Sequence, residues 1–326
     1  MSPLLQGIAT ILIGVGGCVG YFYGANLLLD RVIFPPRGRD PGANISRANA
    51  VRPWLFLAPA MAALGLYLVY PVVGSFWRSL YNRDGGTFIG PGNYTDLAAD
   101  PAFRTAVFNN LLWVLVVPAA STFIGLVAAQ LTDRIRWGNI AKSIIFMPMA
   151  ISFVGASLIW KFVYANEADI GLLNAIRAAL GFDDPLDVIQ IPFWNNFFLM
   201  AILIWIQTGF AMVILSAALR GIPDETIEAA ILDGANPLQI FFRIMVPQIT
   251  GTILVVWTTI TILVLKVFDI VYTMTGGNFG TQILPSYMMS YMFKDDGRAT
   301  AVAFVIMLIV LPVMVWNIVQ ARKEMR

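Results

Sequence analysis

The sequence predicts an all-α, polytopic membrane protein with about seven transmembrane helices, on three observations. Of its 326 residues, 58% are hydrophobic and only 12% are charged, where a soluble domain carries about 25%. The apolar residues gather into seven nearly uncharged runs of roughly the 20 residues that cross a bilayer. The connections between the runs alternate in their Lys and Arg content, which sets an orientation.

The runs cover residues 4–28, 54–76, 110–131, 141–163, 196–218, 249–270 and 301–319. The first lacks a charged leading region and is long for a cleavable signal, so it is expected to remain as a span. The connections after the odd-numbered runs, with the tail, hold thirteen basic residues, among them Arg31, Arg37, Arg39, Arg47 and Arg52, then Arg134, Arg136 and Lys142. The other connections hold seven. Because basic residues stay on the cytoplasmic side, the N-terminus is expected outside and the C-terminus in the cytoplasm. Residues 1–52 read as an extra N-terminal helix with a basic cytoplasmic linker, and residues 53–326 as a six-helix core.

The outer connections differ in character. Residues 82–109 are turn-rich and are expected to lie on the membrane face. Residues 165–193 carry Glu167, Asp169, Asp183, Asp184 and Asp187, with a short helix expected from 171 to 180. Residues 275–300 contain Gly276-Gly277-Asn278 and the Tyr287/Tyr291 pair.

Composition removes several functions. There is no histidine, and Cys18 is the sole cysteine, so neither an internal disulfide nor a His/Cys metal cluster can form. No Gly-x-x-x-x-Gly-Lys-[Ser/Thr] loop is present to hold ATP phosphates. No cofactor, metal or nucleic acid is expected, and no titratable set converges for catalysis. Lys266 and Asp269, three apart in the sixth run, read as an interfacial pair whose lysine snorkels to water.

One polar stretch, residues 220–247, interrupts the apolar second half on the cytoplasmic side. Pro223 with Asp224 and Glu225 suits a helix start. Gly234 can take the left-handed conformation that closes the helix. Asn236-Pro237 reads as a new cap and first position, so a second short helix is expected through Gln239, Phe241, Phe242, Arg243 and Ile244. The product is an elbow, too polar to enter lipid and too apolar on one side to float free.

Within that elbow, Glu228-Ala229-Ala230, Asp233-Gly234-Ala235, Phe241, Ile244 and Pro247 resemble the "EAA" loop of bacterial type I ABC importer permeases. Phe88-Ile89-Gly90 with Asn93-Tyr94 is similar to the first outer loop of sugar-importer permeases, and residues 267–277 to the end of their penultimate span. The sequence Gly276-Gly277-Asn278-Phe279-Gly280 with Gly297-Arg298-Ala299 resembles the α-glucoside branch of the maltose-type family. The resemblance runs from about residue 53 to the end. Val246, Gly251 and Asn278 depart from the usual pattern.

The resemblance implies a permease subunit of an ATP-driven oligosaccharide importer in the bacterial inner membrane. Its implied partners are a second homologous permease in a heterodimer, two copies of an ATP-binding subunit, and an extracytoplasmic sugar-binding protein. Glu228 would face a basic ATPase residue, and Gly234 would allow a close bend. An alignment anchored on the elbow places sugar-lining positions at Gln207, Phe210, Leu263, Val264 and Val267. Gln207 stands out, because an amide at membrane depth needs a partner. The competing reading is a secondary, ion-coupled carrier acting without an ATPase, which would show inverted halves and midplane coupling residues; neither is evident.

Overall fold

The computed structural model describes residues 3–35, 41–167, 169–182 and 184–324; Arg37, Arg39, Asp183 and Arg326 lie outside them. The described residues are helical, with no strand beyond an isolated bridge between Tyr81 and Phe88. The chain folds as two compact units, residues 1–74 and 75–326.

The first unit is a helical hairpin. Helix α1 spans Pro3–Ile33, and α2 opens at Pro41 and runs to Arg78 across the boundary between the units. The basic linker is therefore shorter than the sequence indicates, because its second half is already helix. Arg52 pairs with Asp30 at 2.7 Å and the Tyr21 hydroxyl donates to the Leu55 carbonyl at 2.8 Å. Neither helix buries its apolar stretch within the chain, as expected of surfaces that meet lipid.

In the second unit, α3 (Gly92–Ala99) lies in the connection after the second apolar run, which is thus part helix. Asp100 caps α4 (Pro101–Thr132) by accepting from the Ala102 amide at 2.8 Å, with Pro101 at the first helical position. Helix α5 (Gly138–Ala150) and helix α6 (Phe153–Val163) form one apolar segment bent by 106°. The fourth apolar run is therefore not one unbroken helix. Met147–Ala150 tightens into a 3-10 turn around Pro148, Ile151 becomes extended, and Ser152 starts the next helix by accepting from the Gly155 amide at 3.1 Å. Helix α7 (Leu172–Ala179) is the short helix expected within residues 171–180.

Helix α8 (Trp194–Arg220) is the axis of the unit. Leu199, Met200, Ile202, Leu203, Met212 and Leu215 are fully buried, while Trp194, Val213 and Ile214 stay exposed, so most but not all of its apolar surface is covered. It runs parallel to α4, with Trp113 Nε1 donating to Asn196 Oδ1 at 3.4 Å near one end. At Gly125 the two helices approach so closely that a Cβ would lie 2.5 Å from the Ala211 Cβ.

After α8 come α9 (Asp224–Leu232) and α10 (Pro237–Gln248), and then α11 (Thr250–Val264), set at 71° to α10 across Ile249. The sixth run is shorter as a helix than its sequence suggests. Helix α11 stops at Val264, and α12 (Asp269–Thr275) begins with an acid in its first turn, which suits a helix N-terminus. Lys266 falls in the break and is exposed, so the Lys266/Asp269 helical pair does not form. Helix α13 (Leu284–Tyr291) and α14 (Asp296–Glu324) complete the fold. Among the described residues, four helices are long and apolar enough to cross a membrane, or up to six if each bent pair is one span; α14 covers the seventh apolar run.

Candidate functional site: the elbow and its surroundings

The elbow closes its first helix through a local bond pattern. The Ala235 amide donates to the Ala230 carbonyl at 3.0 Å, and the Gly234 amide to the Ile231 carbonyl at 3.0 Å. This paired closure needs a left-handed residue between its two bonds, and Gly234 supplies it at φ 81°. Asn236 then accepts from the Gln239 amide at 2.8 Å, while Gln239 Oε1 accepts from the Asn236 amide at 2.9 Å, a reciprocal cap.

The motif residues sort into two faces. Ala230 and Phe241 are buried, Ala235 and Ile244 half-buried, and Ile222, Ile240 and Met245 join them in the main core. Glu228, Ala229, Asp233, Gly234 and Pro247 are exposed. Beside them stand three large apolar side chains in the open: Leu232 (88% exposed), Leu238 and Phe242. An acid and a small residue ringed by uncovered aliphatic and aromatic groups is the composition of a docking surface. Behind the elbow a cavity of about 730 Å³ separates Ile227 and Ile231 from Gln130 and Asp133 near the end of α4.

Three of the five substrate-path residues are buried and two half-buried. Gln207 is 4% exposed, and its amide makes no hydrogen bond among the described residues. Phe210 and Leu263 are half-buried. Val264 is fully buried and Val267 nearly so. Val267 lies beyond the end of α11, so it does not continue the helical face of Ile260, Leu263 and Val264. Among the described residues no group of acidic, Cys or His side chains could hold a metal ion.

Two polar clusters were not singled out in the sequence. In the first, Asp100 Oδ2 accepts from the Tyr287 hydroxyl at 2.7 Å, Arg298 stands 4.0 Å from that carboxylate, and its guanidinium lies 5.1 Å from the centre of the Tyr291 ring. Burial alone would raise the Asp100 carboxyl. Hydrogen bonds from Tyr287, Ala102 and Phe103, with the Arg298 charge, outweigh it and hold the group below its ordinary value. Nearby, Asn109 donates to the Gly280 and Gln282 carbonyls at 2.8 Å each, and Asn195 to Phe279. These asparagines bind the double-glycine loop to α4 and α8. The second cluster gathers Asp133, Lys142, Ser216 and Arg220 at the root of the elbow. Sequence spacing registers these groups only as charges in separate connections.

The elbow between two apolar helices, in an all-helical multi-pass chain, defines the class: the chain belongs to the family of binding-protein-dependent transport system inner membrane components, which matches residues 121–324. It is an inner-membrane ABC importer permease, driven by a separate ATPase and not itself an enzyme. It is 62% identical over 335 aligned residues, 99% of both chains, to the alpha-glucoside transport system permease protein AglF of Rhizobium meliloti (strain 1021). It is 49% identical to the osmoprotective compounds uptake permease protein GgtC of Synechocystis sp., covering 81% of this chain and 96% of that one. In fold it is similar to a chain of a bacterial alginate ABC transporter crystallised with an alginate pentasaccharide-bound periplasmic protein. That likeness has a TM-score of 0.71 at 20% identity and covers 86% of this chain and 97% of that one.

Proposed function

We propose that this permease moves α-glucosides of the maltose or trehalose type from an extracytoplasmic sugar-binding protein into the cytoplasm, and that residues 220–247 receive the force from the ATPase. The substrate class rests on the 62% identity, over the whole chain, with a permease named for alpha-glucoside transport. The coupling role rests on one observation above the rest. The elbow holds its inner face in the core while Glu228, Leu232, Leu238 and Phe242 stand exposed. Such a two-faced bent helix pair suits insertion into a groove on another protein.

In this reading the N-terminus lies outside, the C-terminus is cytoplasmic, and about seven helices cross the membrane. Residues 1–52 add a helix and a basic linker to a six-helix core at 53–326. A second homologous permease completes a heterodimer over two ATP-binding subunits. Glu228 meets a basic residue of the ATPase, and closure of the ATPase pair rocks the later helices around the translocation path. Gln207, Phe210, Leu263, Val264 and Val267 belong to that path. Val264 and Val267 reach it only in a conformation that uncovers them. The reading as an ion-coupled carrier finds no support in the family or the fold.

The test is uptake by the assembled importer. Glu228→Lys and Gly234→Pro are expected to lower ATP-dependent uptake at least tenfold while the protein still inserts. Lys reverses the charge at the docking face. Pro cannot take φ 81° and lacks the amide that donates to Ile231. Wild-type uptake in both variants would refute the coupling role.

A further inference from the structure

The root of the elbow carries an acid where helix electrostatics disfavour it. Asp133 sits at the C-terminal cap of α4, an end that favours a cation. Its side chain and that of Lys142, in the second turn of α5, are mostly covered, at 20% and 14% exposure, which adds a desolvation cost. Local preference thus argues against Asp133, and such violations gather where a non-local job is done.

Their partners point to the job. Lys142 Nζ is hydrogen-bonded to Asp133 Oδ1 and donates to Ser216 Oγ at 2.7 Å. The Ser216 hydroxyl lies 2.8 Å from Asp133 Oδ2, to which it donates. Arg220 Nε approaches the same carboxylate at 3.8 Å. One carboxylate therefore ties together the end of α4, the start of α5 and the last turn of α8. Ser216 and Arg220 lie immediately before Gly221-Ile222-Pro223, from which the elbow springs. Behind the elbow is the cavity of about 730 Å³, so on this side the elbow is not braced along its length. A load on α9 could then bend the chain at its root.

We propose that Asp133 is a positioning residue that pins the root of the elbow, so that α4, α5 and α8 move with it as one body when it is pushed. The proposal rests on the coupling role given to residues 220–247. Without the pin, the ATPase would still grip the elbow, but its stroke would be absorbed at the root.

The experiment uses the complete importer in proteoliposomes, with maltose as the probe sugar, and records uptake and ATP hydrolysis together. Asp133→Asn keeps the shape and removes the charge; Ser216→Ala removes one strand of the clasp and folds even if Asp133→Asn does not. Both are expected to lower sugar taken up per ATP hydrolysed at least fivefold while binding-protein-stimulated hydrolysis stays above half, and Asp133→Glu restores most of the ratio. A proportional fall of uptake and hydrolysis, or no change in either, would overturn the proposal. Glu228→Lys, run alongside, isolates the underlying reading. If it alone leaves stimulated hydrolysis and uptake intact, the elbow is not the coupling element, whatever Asp133 does.

Discussion

Gln207 is the residue whose chemistry asks most directly for a partner. Its side chain is buried on the central helix and makes no hydrogen bond among the described residues, and an amide left unpaired when water is expelled costs about 1–3 kcal/mol. A sugar hydroxyl would relieve that cost. Gln207→Leu is expected to raise the KM for sugar several-fold or shift selectivity among α-glucosides, read as uptake against sugar concentration; unchanged kinetics would remove Gln207 from the path. Asp100 makes a different case. Its folded state favours the ionised carboxylate, so its contribution to stability is full above the ordinary Asp value, near pH 4, and is lost as pH falls below it. Thermal melts in detergent should therefore show a loss of stability below about pH 4 that Asp100→Asn reduces. Such single residues differ in how far sequence exposes them. Gly234 and Asn236 were legible because their roles are set within four residues of chain. Asp100 and Tyr287 meet across 187 positions, and no spacing rule reaches that far.

Helices follow the same division. The elbow's two short helices were legible because each has a start, a stop and a cap written locally. The reciprocal cap at Asn236 and Gln239 is the clearest, and Asn236→Ala is expected to lower stability by about 1 kcal/mol, measured by thermal denaturation of the purified protein. A similar loss in uptake is not expected, since the inner face still packs on the core through Ile240, Phe241 and Met245. The bend between α5 and α6 was less visible. Hydropathy runs on unbroken through Met147 to Ser152, so the segment looks like one straight span. Pro148 and the Ser152 cap mark the break, but Pro118 sits inside α4 without ending it. Proline alone therefore does not decide between a kink and a stop. The end of α11 at Val264 was hidden for the same reason: apolar residues continue on either side of Lys266.

At the scale of the whole molecule, the seven apolar runs were the easiest feature to read, because bilayer thickness fixes their length whatever surrounds them. Packing within the bundle was not readable. The full burial of Val264, and the cluster of Asp133 with Lys142 and Ser216 from three helices, both depend on how α4, α5, α8 and α11 come together. The same physics explains what the chain lacks. Among the described residues, its charged clusters sit at helix ends and loops, where they join elements rather than drive a reaction. A permease so built should be passive without its ATPase. The most direct measurement compares proteoliposomes holding the complete importer with vesicles holding this polypeptide alone, each given binding protein, ATP and labelled α-glucoside. The account expects concentrative uptake only in the first. Sugar accumulation by the polypeptide alone, under any ion gradient, would contradict it.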